Sequence, residues 1–361
     1  MKHLKYLLLF ICCCMTVCSY AQMTATTDTS GSMTCSGNCS CGGSDQTPLG
    51  IMTAHVHGKG QWMVSYTYMD MMMKGSRIGT SKIGNDVINK YYVMAPDKMS
   101  MQMHMAMMMY GVSDRLTLMG MAGYASNNMH MIVSPIILSQ MPGMQGGSMN
   151  DNMVSKSSGF ADTKIYALYS LLNKNNNRII TTVGLNLPTG STTLSGPTMF
   201  STVNRLPYSM QTGTGTFGLL PSVTYINTNG HWSWGAQAGA DINLGMNHQG
   251  YRPGNIYNAT AWASYRFLPF MSASLRAEGV ATGKIKGYDK NIATLMYNDP
   301  TADSRNYGGQ RANMYAGLNF SIKKLNRLHF LFEYGMPVYE SLNGPQMSLH
   351  ANLLAGAQYS F

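Results

Sequence analysis

The sequence predicts an all-β fold, a transmembrane antiparallel up-and-down β-barrel of about twelve strands. First, apolar and polar side chains alternate through most of the 361 residues, and a period of two places the apolar side chains on one face of a strand. Second, only 11% of the residues are charged although 45% are hydrophobic, which suits strands with one face toward lipid and an uncharged polar face toward a lumen. Third, short and long connections alternate, as in a barrel with tight turns at one end and loops at the other.

The alternation predicts each strand in turn, and the seventh is the clearest of the internal ones. Trp232 and Trp234 alternate there with Ser233 and Gln237. An even number of strands brings the chain back to the side on which it started. The twelve predicted strands are residues 61–73, 101–112, 116–132, 160–172, 178–187, 216–227, 232–244, 257–267, 271–283, 311–323, 328–339 and 348–361.

The last of these strands carries a further signal. Its odd-numbered positions from Leu349 to Tyr359 are apolar, only Leu354 breaks the pattern, and the sequence ends on Phe361. This strand resembles the closing strand of bacterial outer-membrane β-barrels. The resemblance implies that the barrel insertion machinery recognises the strand through Phe361. In such a barrel the short turns face the periplasm and the longer loops face outward.

The N-terminus predicts export. Lys2 and Lys5 precede an apolar stretch, and small residues before position 22 favour cleavage after Ala21, which is the pattern of a secretory signal peptide. We therefore expect a signal peptide at 1–21, a flexible periplasmic Ser/Thr/Gly/Cys segment at 22–55, and an outer-membrane barrel at 56–361. The predicted location is the outer membrane of a Gram-negative bacterium.

The charge predicts lipid rather than nucleic acid as a partner. The formal net charge is +10, and it falls to +8 when Lys2 and Lys5 leave with the signal peptide. The remaining basic residues are scattered rather than gathered in a patch, so nucleic-acid binding is not expected. The expected partners are outer-membrane lipid, lipopolysaccharide and a small-molecule solute.

No enzyme motif stands out, so the protein is not expected to be an enzyme. The patterns GxSxG and HExxH, the Walker motif and the Rossmann glycines are all missing from the sequence. His231 and Ser233 share a polar face with Asp241, which leaves a barrel-embedded hydrolase open as an alternative.

Charged residues on the polar faces predict a lumen whose wall is stabilised by ion pairs or whose electric field acts on a permeating solute. Opposite charges inside a narrow barrel pair across the wall, and they also set the field along a permeation path. The predicted lumen-lining residues are Asp162, Lys164, Asp241, Arg266, Arg276, Glu278, Arg311 and Glu333.

Methionine is the second unusual feature, with 34 residues. Thioether and imidazole ligands select soft ions such as copper(I) and silver(I), so a copper- or silver-binding protein is an alternative function, and no other cofactor is expected. Methionine is also an adaptable apolar residue, and Met101, Met103, Met105 and Met107 fit a lipid-facing position. The candidate ligands are Cys35, Cys39, Cys41, His55, His57, His104, Met129, His130, Met131, Met141 and Met144.

Three stretches carry a family resemblance. Residues 49–80 resemble the start of a group of Met- and His-rich bacterial transporters. FADTKIYALYSL at 160–171 and VGLNLPTGS at 183–191 resemble the aspartate strand and the LPTG strand end of the outer-membrane family of the MetA pathway of phenol degradation. That resemblance implies an outer-membrane channel for small solutes, including hydrophobic or aromatic compounds.

Overall fold

The computed structural model describes residues 46–134, 152–198, 201–322 and 328–361, and seventeen strand segments account for most of them. Alternating side chains and β-branched or aromatic residues favour the extended backbone. The strands are β1 (Trp62–Gly79), β2 (Ser81–Ile83), β3 (Met94–Ser113), β4 (Leu116–Val133), β5 (Asn152–Phe160), β6 (Thr163–Lys174), β7 (Asn177–Leu187), β8 (Ser195–Thr198), β9 (Ser201–Arg205), β10 (Phe217–Asn229), β11 (Trp232–Leu244), β12 (Tyr251–Arg252), β13 (Ile256–Leu268), β14 (Met271–Thr282), β15 (Lys286–Gly287), β16 (Gly309–Ser321) and β17 (Leu328–Ser360).

Eleven of these segments close into a ring. The order is β1-β3-β4-β6-β7-β10-β11-β13-β14-β16-β17, and β17 pairs back onto β1. Every neighbouring pair in the ring is antiparallel. The strands β2 and β5 lie outside the ring, paired with the ends of β1 and β4. The predicted closed antiparallel barrel is confirmed.

The last segment, β17, crosses the barrel twice. A closed ring with antiparallel neighbours throughout needs an even number of passes, so one of the eleven segments must reverse its direction. β17 is 33 residues long; residues 329–342 pair with β16 and residues 342–360 pair with β1. It is therefore a hairpin, and the chain makes the twelve passes that the alternation predicted.

A buried carboxylate holds the two arms of this hairpin together near its turn. Glu340, on the first arm, accepts a hydrogen bond from the backbone N–H of Leu349 on the second arm at 3.0 Å and another from the hydroxyl of Ser348. Its carboxylate also pairs with Arg311 of β16 at 3.1 Å and with Arg77 of β1 at 3.5 Å. Glu340 thus connects three neighbouring strands at one end of the barrel.

The wall alternates as a membrane barrel requires. On β11 the side chains of Trp232 and Trp234 are exposed on the outer surface, whereas Ser233 between them is buried. The strands β1, β3 and β4 are 18, 20 and 18 residues long, well beyond the ~9–11 residues that cross a bilayer. They extend past the bilayer at the end with long loops, where the outward residues turn polar, as in the hydrogen bond from Ser100 to Asp70 at 2.9 Å.

The lipid-facing interpretation of the β3 methionines is wrong. Met105 and Met107 are buried, and the pleat places Met101 and Met103 on the same inward face. The outward positions are the residues between them, such as His104, which is exposed. A period of two defines two faces but not which of them is outside, and on β3 both faces contain apolar residues.

Loops at the long-loop end pack into a layer over the mouth, which we call the outer cap. It has a core of buried Tyr208, Tyr251, Ile292, Leu295 and Ala302. Its helices are short: the α-helical turns Asn85–Ile88 and Lys290–Ala293 and the 3-10 turns Tyr208–Met210, Pro300–Ala302 and Ser304–Asn306. Within the described ranges, no helix has the length and apolar character needed to span a membrane.

Candidate functional site

The interior of the barrel is occupied by the chain segment before β1. We call residues 46–58 the plug. Its residues Thr47, Leu49, Ile51 and Ala54 have at most 3% of their surface exposed. We expected residues up to 55 to belong to a flexible periplasmic segment, and for 46–55 the structure differs, because their apolar side chains pack inside the barrel.

Polar contacts trace the path of the plug. It begins near the end with short turns, where Asn319 of β16 donates a hydrogen bond to the carbonyl of Thr47 at 3.2 Å. It turns at mid-height, with the N–H of Ile51 bonded to the carbonyl of Pro48 at 3.1 Å. It returns to the same end, where the N–H of His57 donates to Thr117 of β4 at 2.8 Å. The plug is thus a U-shaped insertion from the short-turn side.

Apolar contacts on opposite walls hold the plug in place. Leu49 packs against Tyr315, Leu331 and Leu354 of the last strands. Leu354 is the residue that broke the alternation in the sequence, and its contact with the plug explains why an apolar side chain faces inward there. On the other side, Ile51 and Ala54 join a buried cluster drawn from seven strands: Met63, Met107, Met109, Met119, Leu168, Ile180, Ile226 and Trp262.

At the turn of the plug lies a buried charge cluster. Arg276 binds Glu333 through two nitrogens at 3.1 and 3.2 Å, and its third nitrogen binds Glu278 at 3.2 Å. The guanidinium lies over the ring of Tyr315, 3.7 Å from its centroid, and the Tyr315 hydroxyl donates to Glu278 at 2.9 Å. A buried carboxylate needs several donors, and these contacts supply them.

The plug contributes one of those donors. The backbone N–H of Gly50 donates to Glu333 at 2.9 Å, and the Glu333 side chain is completely buried. A β-carbon at position 50 would lie 2.3 Å from a guanidinium nitrogen of Arg276. A side chain at position 50 would therefore force either the plug or the Arg276 guanidinium to shift.

The other predicted lumen residues take three different positions. Lys164 of β6 and Asp241 of β11 approach to 3.6 Å although two strands separate them, so their side chains meet inside the barrel. Arg311 pairs with Glu340 near the hairpin turn of β17. Arg266 lies at the short-turn end, where it donates to the carbonyl of Gly230 at 3.1 Å.

Asp162 has a different role from the one that we predicted for it. Its carboxylate accepts hydrogen bonds from the N–H of Gly190, the side chain of Asn186 and the N–H of Thr214, each at 2.9 Å. The two sequence stretches that carried the family resemblance, 160–171 and 183–191, are therefore joined through this carboxylate. It anchors the base of the 188–216 loop rather than standing free in the lumen.

The soft-metal candidates are divided between the two sides of the wall. Met129 and Met131 are buried inside the barrel, whereas His104 and His130 on the same wall are exposed on the outside. His55 and His57 belong to the plug. Cys35, Cys39, Cys41, Met141 and Met144 lie outside the described residues. In the part of the chain that the structure describes, no three His, Cys, Asp or Glu residues converge as a metal site.

The residues suggested for a hydrolase are not brought together. The Nδ1 atom of His231 lies 2.7 Å from the carbonyl of Arg266, at a turn. Asp241 is ten residues further along the same strand, about 33 Å away at strand spacing, and it pairs with Lys164. Ser233 shares a hydrogen bond with Thr228 instead.

The outer cap closes the opposite end of the barrel. Tyr208 packs edge-on against Tyr251 and Tyr307, and Arg205 pairs with Asp289 at 3.3 Å. Beneath them, burial raises the pKa of Asp299 to about 6, although hydrogen bonds from Thr301 act in the other direction. The plug thus occupies the lumen on the short-turn side, and the outer cap packs at the long-loop end.

The plug was missed in the sequence although a signal was present. Five of the eight residues 49–56 are apolar: Leu49, Ile51, Met52, Ala54 and Val56. The predicted flexible segment at 22–55 includes most of this stretch. The apolar residues just before the first strand were the observation that could have revealed a segment inside the barrel.

A closed antiparallel barrel with exposed apolar side chains on its outer surface and a plugged interior defines a transmembrane β-barrel protein. Residues 112–293 match the protein family that is named for the putative MetA pathway of phenol degradation. Because the match covers half of the chain, the chain belongs to that family, as the sequence resemblance predicted. Among curated proteins, none matches this sequence.

One solved structure supports the fold, and a second gives a weaker match. The COG4313 outer membrane channel from Pseudomonas putida F1 superposes with a TM-score of 0.54 at 15% identity, over 84% of this chain and 96% of that chain. The P. putida toluene transporter TodX gives a TM-score of 0.42 at 10% identity, over 83% of this chain and 89% of that chain. At 15% identity the first likeness establishes the shared barrel fold.

Proposed function

We propose that the protein is an outer-membrane channel for small solutes, with hydrophobic or aromatic compounds favoured, and that the plug holds it closed. The observation that carries this proposal is a closed barrel whose interior contains a buried segment of chain, the plug, in addition to the side chains of the wall. Such a segment can leave without breaking a strand pairing, because residues 46–58 belong to none of the strands of the ring.

The proposed solute class follows from what the plug covers. Ile51 and Ala54 rest on a surface of methionine, leucine, isoleucine and tryptophan side chains inside the barrel. When the plug leaves, this apolar surface becomes available to a small hydrophobic molecule of similar size. Membership of the MetA phenol-degradation family supports the same class. The location in the outer membrane is part of the proposal, supported by the barrel fold and the signal-peptide pattern at 1–21.

We further propose that the protein is a channel without enzymatic activity. The nearest approach to a catalytic triad, formed by His231, Ser233 and Asp241, is spread over about 33 Å of one strand. His231 and Asp241 already have other partners. A hydrolase would need the nucleophile and base within hydrogen-bond reach.

Planar-bilayer conductance of the refolded mature protein tests this function. Ile51→Asp places a carboxylate in an apolar cluster, which expels the plug because an unpaired buried charge is not tolerated. The matched control is Ile78→Asp, since Ile78 is already 43% exposed. We expect brief, rare openings from the parent and from Ile78→Asp, and steady conductance from Ile51→Asp that phenol, but not glucose, partly blocks.

The result that overturns the proposal is a folded Ile51→Asp barrel that conducts no ions. Folding is checked by the slower migration of the unheated barrel on a denaturing gel. If Ile51→Asp does not fold, Ala54→Asp is the second variant, because Ala54 lies in the same cluster. Steady conductance that glucose blocks as well as phenol would retain the channel and overturn the proposed solute class.

A further inference from the structure

A second cluster inside the barrel consists almost entirely of methionine. It lies on the long-loop side of the plug, under the outer cap, and we call it the methionine chamber. Six of its eight buried residues and three of its four partly buried ones are methionines. They are Met73, Met94, Met99, Met101, Met129, Met131, Met153, Met210 and Met347.

Strand register brings these thioethers side by side. Met73 of β1 is directly opposite Met99 of β3, and Met99 is directly opposite Met129 of β4. Met131 of β4 is likewise opposite Met153 of β5. Residues opposite each other on one face have Cβ atoms about 5 Å apart, within reach of a shared ligand for a side chain as long as methionine. Met210 approaches from the cap.

General packing does not explain this concentration. The core of the outer cap, which has similar burial, contains no methionine among its seven members. Strand positions favour β-branched and aromatic residues, yet the chamber places methionine at eight strand positions and one cap position. If these positions needed only an apolar side chain, leucine, isoleucine or valine would serve as well. The use of methionine therefore points to a role for its sulfur atom.

We propose that the methionine chamber binds a soft monovalent cation, copper(I) or silver(I). Thioether sulfur is a soft ligand that selects such ions over hard ones. Methionine has three flexible bonds, so several sulfurs can turn toward one ion without moving the backbone. Met73, Met101 and Met153 at its edge are partly exposed and give the ion a way in. This site goes beyond the channel function and does not depend on it.

Silver(I) titration of the full mature protein in chloride-free buffer tests the proposal. The background is Cys35→Ser, Cys39→Ser, Cys41→Ser, so that thiolates do not contribute. The test variant carries Met73→Leu, Met99→Leu and Met129→Leu, swaps that conserve side-chain volume and are well tolerated in cores.

The chain offers a matched control on the same three strands. Met63, Met109 and Met119 form an equivalent cross-strand row, but this row is covered by the plug. Replacing these three by leucine changes the same number of thioethers in the same strands. It tests whether binding depends on the chamber or on methionine content alone.

We expect the cysteine-free protein and the control variant to bind at least one silver(I) per chain with equal affinity. The chamber variant should bind at least tenfold more weakly. Three results overturn the proposal: no silver(I) binding by the cysteine-free protein, unchanged binding by the chamber variant, or an equal loss in the control. Gel migration of the unheated proteins verifies that each barrel is folded.

Discussion

Gly50→Ala should loosen the plug without touching the strands of the barrel. The added β-carbon would lie 2.3 Å from a nitrogen of the Arg276 guanidinium and 2.5 Å from its central carbon. Ordinary contacts of a β-carbon begin near 3.4 Å, so one group must move by about 1 Å. Arg276 is held by three hydrogen bonds to Glu333 and Glu278, so the plug is the group that yields.

The size of the effect follows from the cost of overpacking. An extra methyl group in a filled interior costs about 1–3 kcal/mol, and displacement of Gly50 also weakens its bond to Glu333. If this cost destabilises only the state in which the plug is docked, the ratio of undocked to docked plug rises about 5- to 150-fold. The barrel itself should keep its stability, since no strand contact changes.

Thiol labelling measures this ratio independently of conductance. Ala54→Cys in a background without the other mature cysteines places a thiol at a position with 0% exposure, and a maleimide reacts with it only when the plug is undocked. When docking is fast compared with labelling, the labelling rate reports the undocked fraction. We expect Gly50→Ala to accelerate labelling at least fivefold.

The control is Gly120→Ala, because a β-carbon at Gly120 meets no atom within 4 Å. Equal labelling rates in Gly50→Ala and Gly120→Ala would refute the reasoning about the plug. A second result would also contradict it: a lower free energy of unfolding of the barrel in urea at an unchanged labelling rate. In that case the added methyl group would have displaced Arg276 rather than the plug, and Arg276 would not be held rigidly.

Three other contacts give predictions of their own. Asp162→Ala removes four hydrogen bonds at the base of the 188–216 loop and should speed limited proteolysis there several-fold, with Asp162→Asn closer to the parent; equal rates would contradict the anchoring role. Glu340→Leu leaves Arg77 and Arg311 without their shared carboxylate and should lower the free energy of unfolding by about 3–5 kcal/mol, measured in urea; a change below about 1 kcal/mol would count against it. Since burial raises the pKa of Asp299 to about 6, its folded state binds an extra proton at low pH. The cap should therefore be about 1 kcal/mol more stable at pH 5 than at pH 7, a difference seen in amide exchange that Asp299→Asn should remove.

The barrel could be predicted from the sequence because period-two alternation is a local property. Each strand with one lipid face and one lumen face, such as β11, can be recognised without knowing its neighbours. On β3 the same pattern does not show which face is turned to lipid, because both faces carry apolar residues. Methionines point inward, and Ala106 and Met108 point outward. Only pairing with β1 and β4 decides which side is the interior.

The partners inside the lumen could not be predicted, because they depend on contacts between distant parts of the chain. The sequence indicates that Arg276 and Glu333 lie on polar faces, but it does not indicate that the N–H of Gly50, 283 residues before Glu333, completes their network. Asp162 shows the same limit: its acidic side chain is visible in the sequence, whereas its four backbone and side-chain donors come from two later segments.

The strand number gives a physical reason for the plug. Barrels of about eight strands are filled by their own side chains, whereas barrels of sixteen or more leave an aqueous channel. Twelve passes enclose a lumen between these two sizes. Here the plug fills it at the level of Arg276, and the methionine chamber fills it nearer the cap. A solute path through the proposed channel would therefore require displacement of the plug, so we expect the free energy of plug docking, rather than the barrel diameter, to set the rate of passage.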